Sequence, residues 1–187
     1  MLDPQSAILA ALYRQQPAEA HRLADTAHAL TIWEAAALGR DAAAGQLLAA
    51  DPSQANAVAP DGHVPLALAA FFGHPAMVRL LLAHRADVTA AARNDMKVQP
   101  LHAAVAARNL ECVTAILDAG ADPNARQQAG YTPLMGAASA GRDDLADLLL
   151  SRGADPALVS DEGKTAAVIA EEHGHGALAA RLGRKPR

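Results

Sequence analysis

The feature that most constrains the fold of this chain is an internal repeat of about 33 residues. Pro65, Pro100 and Pro133 each precede a leucine, and successive proline–leucine pairs lie 35 and 33 residues apart. A second element recurs in the same register as Arg85-Ala86-Asp87, Gly120-Ala121-Asp122 and Gly153-Ala154-Asp155. A period in this range predicts a stack of small supersecondary units, each of which contacts mainly its neighbours.

The most regular unit, residues 130–157, predicts two short helices joined by a turn. The Thr132 hydroxyl can cap the first helix, and Pro133 suits a first helical position, where no amide donor is needed. An apolar stripe for the second helix is formed by Leu145, Leu148 and Leu149. Gly153 supplies the left-handed residue that commonly follows a helix. Such a unit has one apolar face and too small a core to fold alone, so it needs neighbours.

This unit resembles the ankyrin repeat, whose consensus is similar to G-x-T-P-L-H-x-A-A-x-x-G-H-x-x-V-V-x-L-L-L-x-x-G-A-D-x-N-A. The resemblance extends from about Thr31 to the end of the chain and is weak over the first thirty residues. It implies an all-α solenoid of stacked helix-turn-helix units with short hairpin-like loops, with about five repeats and an irregular N-terminal helical cap. We expect the cap over residues 1–30, repeats over about 31–60, 61–92, 93–126, 127–159 and 160–182, and a basic tail over 183–187.

Several positions depart from the family pattern. The third repeat has two extra residues between Ala90 and Gln99, in a loop where Asn94-Asp95 favours a turn. Arg85 stands where the family has glycine, which costs about 1 kcal/mol if the site is left-handed. His102 keeps the family's histidine, whereas Gln99 occupies the usual threonine position beside it. The last repeat is more polar, as expected of a terminal unit, and carries Glu171, Glu172, His173 and His175.

Composition narrows the functional classes. Hydrophobic residues make up 51% of the 187 residues and aromatic residues only 3%, so alanine and leucine supply the core. No apolar run approaches the roughly 20 residues of a membrane helix, and the start of the chain lacks the basic region of a secretory signal. The net charge of −4 argues against general nucleic-acid binding. We therefore predict a cytoplasmic protein, monomeric on its own, with no nucleic-acid or membrane partner; its alanine and arginine usage is compatible with a high-GC bacterium.

The basic tail is a second feature that could bind an anionic partner. Four cations lie among the last seven residues, 181–187, and could touch nucleic acid or an anionic membrane. No aromatic residues are interleaved with them and no amphipathic helix is attached, so a solvated chain end is the favoured interpretation.

Candidate catalytic and metal-binding groups are few. His173 and His175 could ligate a metal, but they lack the closed ligand set of a zinc site, and a solvated surface is favoured. Cys112 is predicted to be a buried structural thiol, because the family pattern has a buried valine at this position and a nucleophile would need access and a neighbouring base. His102 is predicted to form structural hydrogen bonds. The repeated glycines do not form a phosphate-binding loop. We therefore predict neither enzymatic activity nor a cofactor.

The resemblance implies a concave face built from the hairpin loops and the exposed ends of the first helices, with a function set by what that face displays. The predicted partner-binding residues are Asp61, His63, Phe71, Phe72, Met96, Lys97, Arg126, Tyr131, Ser139 and Lys164. Phe71 and Phe72 lie about 100° apart on a helix, so at least one should approach the groove as an interface anchor. The alternative is that one packs under the neighbouring repeat and the other is an incidental surface residue. Tyr131 is expected to flank the same patch.

Three hypotheses for the function follow. The first is a non-enzymatic module that binds another protein through the concave face. The second is a regulatory or inhibitory subunit that docks on an enzyme and changes its rate. The third is an enzyme with an improvised site in the groove, which would depend on His63, His102 or His173.

Overall fold

The computed structural model describes residues 6–27 and 29–184, and this part of the chain is a stack of helical pairs without β-strands. The α-helices are α1 (Ala7–Tyr13), α2 (Pro17–Thr26), α3 (Ile32–Leu38), α4 (Asp41–Ala50), α5 (Pro65–Phe71), α6 (Pro75–Ala83), α7 (Pro100–Ala106), α8 (Leu110–Asp118), α9 (Pro133–Ser139), α10 (Asp143–Ser151), α11 (Ala166–Glu172) and α12 (Gly176–Leu182). The predicted all-α solenoid is confirmed. None of the described helices is long and apolar enough to cross a membrane.

The first helix of each repeat starts where the sequence pattern places it. The helices α3, α5, α7, α9 and α11 begin at residues 32, 65, 100, 133 and 166. Three of them are capped by a threonine hydroxyl, at Thr31, Thr132 and Thr165. The predicted cap at Thr132 is confirmed, because its Oγ1 accepts from the amide of Met135 at 3.4 Å. Satisfying an otherwise unpaired amide in this way stabilises the start of the helix.

A ladder of side-chain hydrogen bonds joins the inter-helix turns of successive repeats. One donor at the start of each second helix reaches a carbonyl of the preceding repeat, either in the inter-helix turn or in the last residues of the first helix: His74 to Ala37, Asn109 to Gly73, Arg142 to Arg108 and His175 to Ser139. Their spacing follows the repeat, although the donors differ chemically. The sequence pattern did not reveal this ladder, because histidine, asparagine and arginine share no hydropathy signal. It fixes how neighbouring repeats stack.

The loops between repeats confirm two predicted irregularities. The segment between α6 and α7, residues 84–99, has 16 residues, whereas the corresponding segments 51–64, 119–132 and 152–165 have 14. Arg85 has a φ of 62°, close to those of Gly120 (93°) and Gly153 (91°) at the equivalent positions. The arginine therefore occupies a left-handed site that its Cβ makes unfavourable.

The N-terminal helices pack on the first repeat. Ile8 and Ala20, from α1 and α2, are buried in a cluster with Leu38 at the end of α3. The Ser6 hydroxyl donates to the carboxylate of Glu34 in α3, a second link between α1 and the first repeat. These two helices thus cover the apolar surface of the first repeat. The basic tail predicted at 183–187 lies largely outside the described residues.

Candidate partner-binding groove

An apolar cavity lies between the second and third repeats, where their loops face their first helices, and we refer to it as the apolar cavity. Its lining residues are Tyr13, His63, Ala67, Leu68, Phe71, Met96, Val98, His102, Ala103, Ala106 and Gln127. Its volume is about 270 Å³. An engineered protein cavity of about 150 Å³ holds benzene, so this volume admits a large aliphatic or aromatic side chain. The side chains of Phe71 and Met96 are 44% and 54% exposed at its edge.

Three aromatic rings close one end of the apolar cavity. The centroids of Phe71 and Phe72 are 5.2 Å apart in an edge-to-face arrangement, and Tyr13 lies 6.5 Å and 5.7 Å from them. Phe71 lines the cavity, whereas Phe72 packs on the buried cluster that contains Leu9 and Leu68. The two adjacent rings thus face different environments. Tyr13 was missed as a groove residue, because nothing in the sequence connects α1 with a position 58 residues later.

The tyrosine also ties α1 to the loop at the start of the second repeat. The Tyr13 hydroxyl donates to Oδ2 of Asp61 at 2.8 Å, and Oδ1 of Asp61 accepts from the backbone amide of His63 at 3.0 Å. Burial, followed by the hydrogen bond to Asp61 and its negative charge, raises the pKa of Tyr13 well above its usual value. The phenol therefore remains a donor at neutral pH and holds the Asp61 loop against the aromatic rings.

The extended loop of the third repeat is tied to both neighbouring loops. Nδ2 of Asn94 donates to the Asp61 carbonyl at 3.1 Å, and Oδ1 of Asn94 accepts from the amide of Met96 at 3.1 Å. On the other side, the amide of Gln128 donates to the carbonyl of Met96 at 3.1 Å. Lys97 follows with a left-handed φ of 51° and an exposed side chain. These bonds hold Met96 over the apolar cavity.

A second cavity of about 240 Å³ adjoins the first, and we refer to it as the polar cavity. It is lined by His102, Val105, Ala106, Arg108, Gln127, Tyr131, Thr132, Pro133, Gly136, Ser139 and Ala140. The two cavities share His102, Ala106 and Gln127, so they form one continuous groove across the second, third and fourth repeats. Tyr131, expected beside Phe71 and Phe72, lines the polar cavity instead. Ser139, also predicted to bind a partner, lies there with it.

His102 stands in the wall between the two cavities. Its Nε2 donates to the carbonyls of Ala125 and Tyr131 at 3.1 Å and 3.3 Å, which confirms its predicted structural role. Since carbonyl oxygens only accept, the proton is on Nε2, and Nδ1 is a buried acceptor without a partner among the described residues. Burial lowers the pKa of His102. Gln99, at the cap of the same helix, makes no capping hydrogen bond with its side chain.

Two of the predicted partner-binding cations are engaged with carboxylates of the last repeat. Nη2 of Arg126 lies 3.5 Å from Oδ1 of Asp161. Nζ of Lys164 lies 3.1 Å from Glu162 and 3.0 Å from Glu172, and these partners raise its pKa. Both cations lie on the loop side of the stack, beyond the apolar cavity. The structure thus gathers His63, Phe71 and Met96 at the apolar cavity and Tyr131 and Ser139 at the polar cavity, whereas the other predicted residues line neither: Asp61, Phe72, Lys97, Arg126 and Lys164.

The candidate catalytic and metal-binding side chains are buried or form hydrogen bonds to the backbone, so they contribute to the fold. Cys112 is buried in α8, and burial raises the pKa of its thiol to about 11, as expected of a structural cysteine. Nδ1 of His173 donates to the carbonyl of Ile169 at 2.9 Å, and His175 belongs to the inter-repeat ladder. In the part of the chain that the structure describes, no three histidine, cysteine or acidic residues are grouped to hold a metal ion.

Comparison with protein families identifies the repeats. A family model described as ankyrin repeats in three copies matches residues 32–127, and one described as ankyrin repeats in many copies matches residues 116–170. The first match alone spans more than half of the chain. The chain belongs to the ankyrin-repeat family. No curated protein matches the chain as a relative. Ankyrin repeats are generally protein–protein interaction modules, and the family is generally non-enzymatic.

Proposed function

We propose that this ankyrin-repeat chain binds another protein through the groove, and that the apolar cavity receives a side chain of that partner. The observation that supports this is the exposure of Phe71 and Met96, 44% and 54%, beside an apolar cavity of about 270 Å³. Exposed apolar side chains grouped around a concave site are typical of binding surfaces. Aromatic anchors also account for much of the binding energy of protein interfaces.

The local packing prepares the anchor for binding. The Phe71 ring packs against Tyr13 and Phe72, and loop-to-loop hydrogen bonds hold the backbone of Met96. Less conformational entropy is lost on binding when the contact side chains are already ordered. Asp61, held by Tyr13, and the exposed Lys97 would form the polar rim around this centre.

Further residues along the stack would contact the partner. Tyr131 and Ser139 of the polar cavity would contact the partner next to the anchor. Arg126 and Lys164 line neither cavity and would contact it from the loops toward the last repeat. The activity is binding and not catalysis, because the one thiol is buried and His102 is committed to backbone carbonyls. A monomeric state, a cytoplasmic location and the absence of nucleic-acid and membrane partners are the sequence predictions that accompany it.

The proposal is tested by changing Phe71 and a matched residue outside the groove. Phe71→Ser removes the anchor, whereas Leu110→Ser changes an exposed apolar residue, 41% exposed, on the second helix of the third repeat. Tagged full-length chains would capture proteins from cells of the source organism, with quantitative mass spectrometry. Helicity and the denaturation midpoint would show that each variant is folded.

We expect at least one partner that wild type and Leu110→Ser retain and that Phe71→Ser loses by more than about tenfold, the scale of a hot-spot residue. Retention of every specific partner by folded Phe71→Ser would show that the groove is not the binding site. If the captured partner is an enzyme, its rate with and without the chain distinguishes the regulatory hypothesis from simple scaffolding.

A further inference from the structure

The polar cavity contains an unpaired positive charge. Arg108 lines this cavity, and its guanidinium forms no ion pair with any carboxylate of the described residues. Two other arginines near this end of the groove are paired, Arg126 with Asp161 and Arg142 with Asp144. No aspartate or glutamate lines either cavity. The groove therefore combines an apolar site with a neighbouring site that favours a negative charge.

The backbone at Arg108 supports a role for this side chain beyond the fold. The turn between the two helices of each repeat contains one left-handed residue, and in the other four repeats it is glycine: Gly39, Gly73, Gly141 and Gly174. Arg108 has a φ of 55° at the equivalent position. A side chain is unfavourable in this conformation, and residues held in strained conformations cluster at functional sites. The arginine thus replaces the residue that the turn favours, and it is an exposed residue among those that line the polar cavity.

We propose that the groove binds an extended acidic segment of the partner, an inference that rests on the proposed function. A large apolar side chain of this segment enters the apolar cavity, and a carboxylate two or three residues away pairs with Arg108. The apolar cavity lies between α5 and α7 and the polar cavity between α7 and α9, and packed helices are about 8–10 Å apart. An extended chain advances about 3.3 Å per residue, which gives that separation. Arginine binds carboxylates well because its planar group can donate two parallel hydrogen bonds.

The floor of the groove suits an extended backbone. Ala106, Gly136 and Ala140 lie along the polar cavity and present little or no side chain, so a peptide can lie close to the helices. Gln127 and Ser139 line the same cavity with groups that can bond to peptide amides and carbonyls. Their presence favours a peptide segment over a small apolar ligand.

The test uses the immobilised full-length chain and a phage-displayed library of random twelve-residue peptides. We expect enriched sequences in which a leucine, isoleucine, methionine or aromatic residue stands two or three positions from an aspartate or glutamate. A synthetic peptide of the enriched sequence is then titrated against wild type and three variants by fluorescence anisotropy. Arg108→Gln removes the charge, and Phe71→Ser removes the anchor. Arg85→Gln is the matched control, since Arg85 is also exposed and left-handed but lies outside the groove.

We expect Arg108→Gln to weaken binding by about tenfold and Arg85→Gln to leave it unchanged, because only Arg108 pairs with the peptide carboxylate. An amide in place of that carboxylate should weaken binding to wild type equally and cause no further loss with Arg108→Gln. Higher salt should weaken binding to wild type more than to Arg108→Gln.

The other outcomes separate this inference from the proposed function. Enriched peptides without an acidic preference, or equal affinity for wild type and Arg108→Gln, would overturn the acidic-segment inference and leave the apolar anchor intact. If Phe71→Ser also bound the peptide with wild-type affinity, that result would contradict the proposed function as well. A library that yields no enriched sequence would overturn the inference of a linear segment, while the capture experiment from cells decides the proposed function independently.

Discussion

The second and third repeats differ from the fourth and fifth in how their first helices begin. Thr132 and Thr165 cap α9 and α11 through their hydroxyls, whereas Val64 and Gln99, at the equivalent positions of α5 and α7, make no side-chain capping bond. A capping hydroxyl is worth about 0.5–2 kcal/mol. The first helices of the fourth and fifth repeats therefore begin with a stabilising bond that those of the second and third repeats lack.

The same contrast holds at the left-handed positions. The fourth repeat has Gly130, Gly141 and Gly153, whereas the third has Lys97 and Arg108 at the first two of these positions and the second has Arg85 at the last; the fourth repeat also holds one left-handed alanine, Ala129, with a φ of 59°. These three residues, the exposed Phe71 and the exposed Met96 all lie in the second and third repeats. We infer that the regular repeats mainly stabilise the stack. The second and third repeats are less stable locally, and they present side chains at the groove.

The largest expected effect tests the shared core of the two regions. Leu101→Ala in the third repeat and Leu134→Ala in the fourth each truncate a leucine that is at most 1% exposed. We expect either change to lower the free energy of unfolding by about 2–5 kcal/mol, measured by urea denaturation. Leu110→Ala, at a 41% exposed site, is the control and should stay within about 0.5 kcal/mol of wild type. An unchanged midpoint for Leu101→Ala would contradict the repeat register described above.

A smaller effect is expected when the left-handed residues are exchanged. The carbonyls of Arg85 and Gly153 each accept from an asparagine of the preceding repeat, at 3.2 Å and 3.0 Å, so the two turns are closely similar. Arg85→Gly should stabilise the chain by about 1 kcal/mol by removing the strain of a Cβ. Gly153→Ala should destabilise it by a similar amount, and no heavy atom lies within 4 Å of the added Cβ. Destabilisation by Arg85→Gly would mean that the arginine side chain makes contacts that outweigh the strain.

Much of the fold could be predicted from the sequence, because the repeat encodes each local feature more than once. The starts of α5, α7 and α9, the left-handed Gly153 and the two extra residues in the third repeat were all predicted at positions that the structure confirms. Burial of Cys112 was also predicted, because it occupies the place of a core valine in the family pattern. Each of these depends on a period or on the chemistry of one residue.

The groove could be predicted only in part, because its geometry depends on residues distant in sequence. Phe71 and Met96 were selected as candidates, but the part played by Tyr13 depends on how α1 packs over the second repeat. Arg108 was passed over because its importance comes from the lack of a nearby carboxylate among the described residues. Whether such a residue belongs to the groove depends on side-chain contacts between repeats, and these contacts cannot be read from a local sequence pattern.

A third prediction concerns the cap that the third repeat lacks. Gln99→Thr should give α7 the hydroxyl cap found at Thr132 and place a hydrogen-bond donor beside the unpartnered Nδ1 of His102. We expect a gain in unfolding free energy of about 1 kcal/mol, the typical value of a cap. Thr132→Ala should produce a loss of similar size in the fourth repeat. If neither change altered the free energy of unfolding, the difference in capping between the two regions would not contribute to stability.

The smallest expected effect is the contribution of His102, in the third repeat, to the pH dependence of stability. Burial lowers the pKa of His102 in the folded chain, whereas in the unfolded chain it returns to about 6.5. Below that pH the unfolded state binds a proton that the folded state does not, so the free energy of unfolding falls until the pH reaches the folded pKa. His102→Gln should therefore lose less stability than wild type between pH 7 and pH 5, measured by urea denaturation at each pH. Met135 occupies the equivalent position in the fourth repeat and cannot titrate, so equal pH dependence in wild type and His102→Gln would show that His102 does not contribute to it.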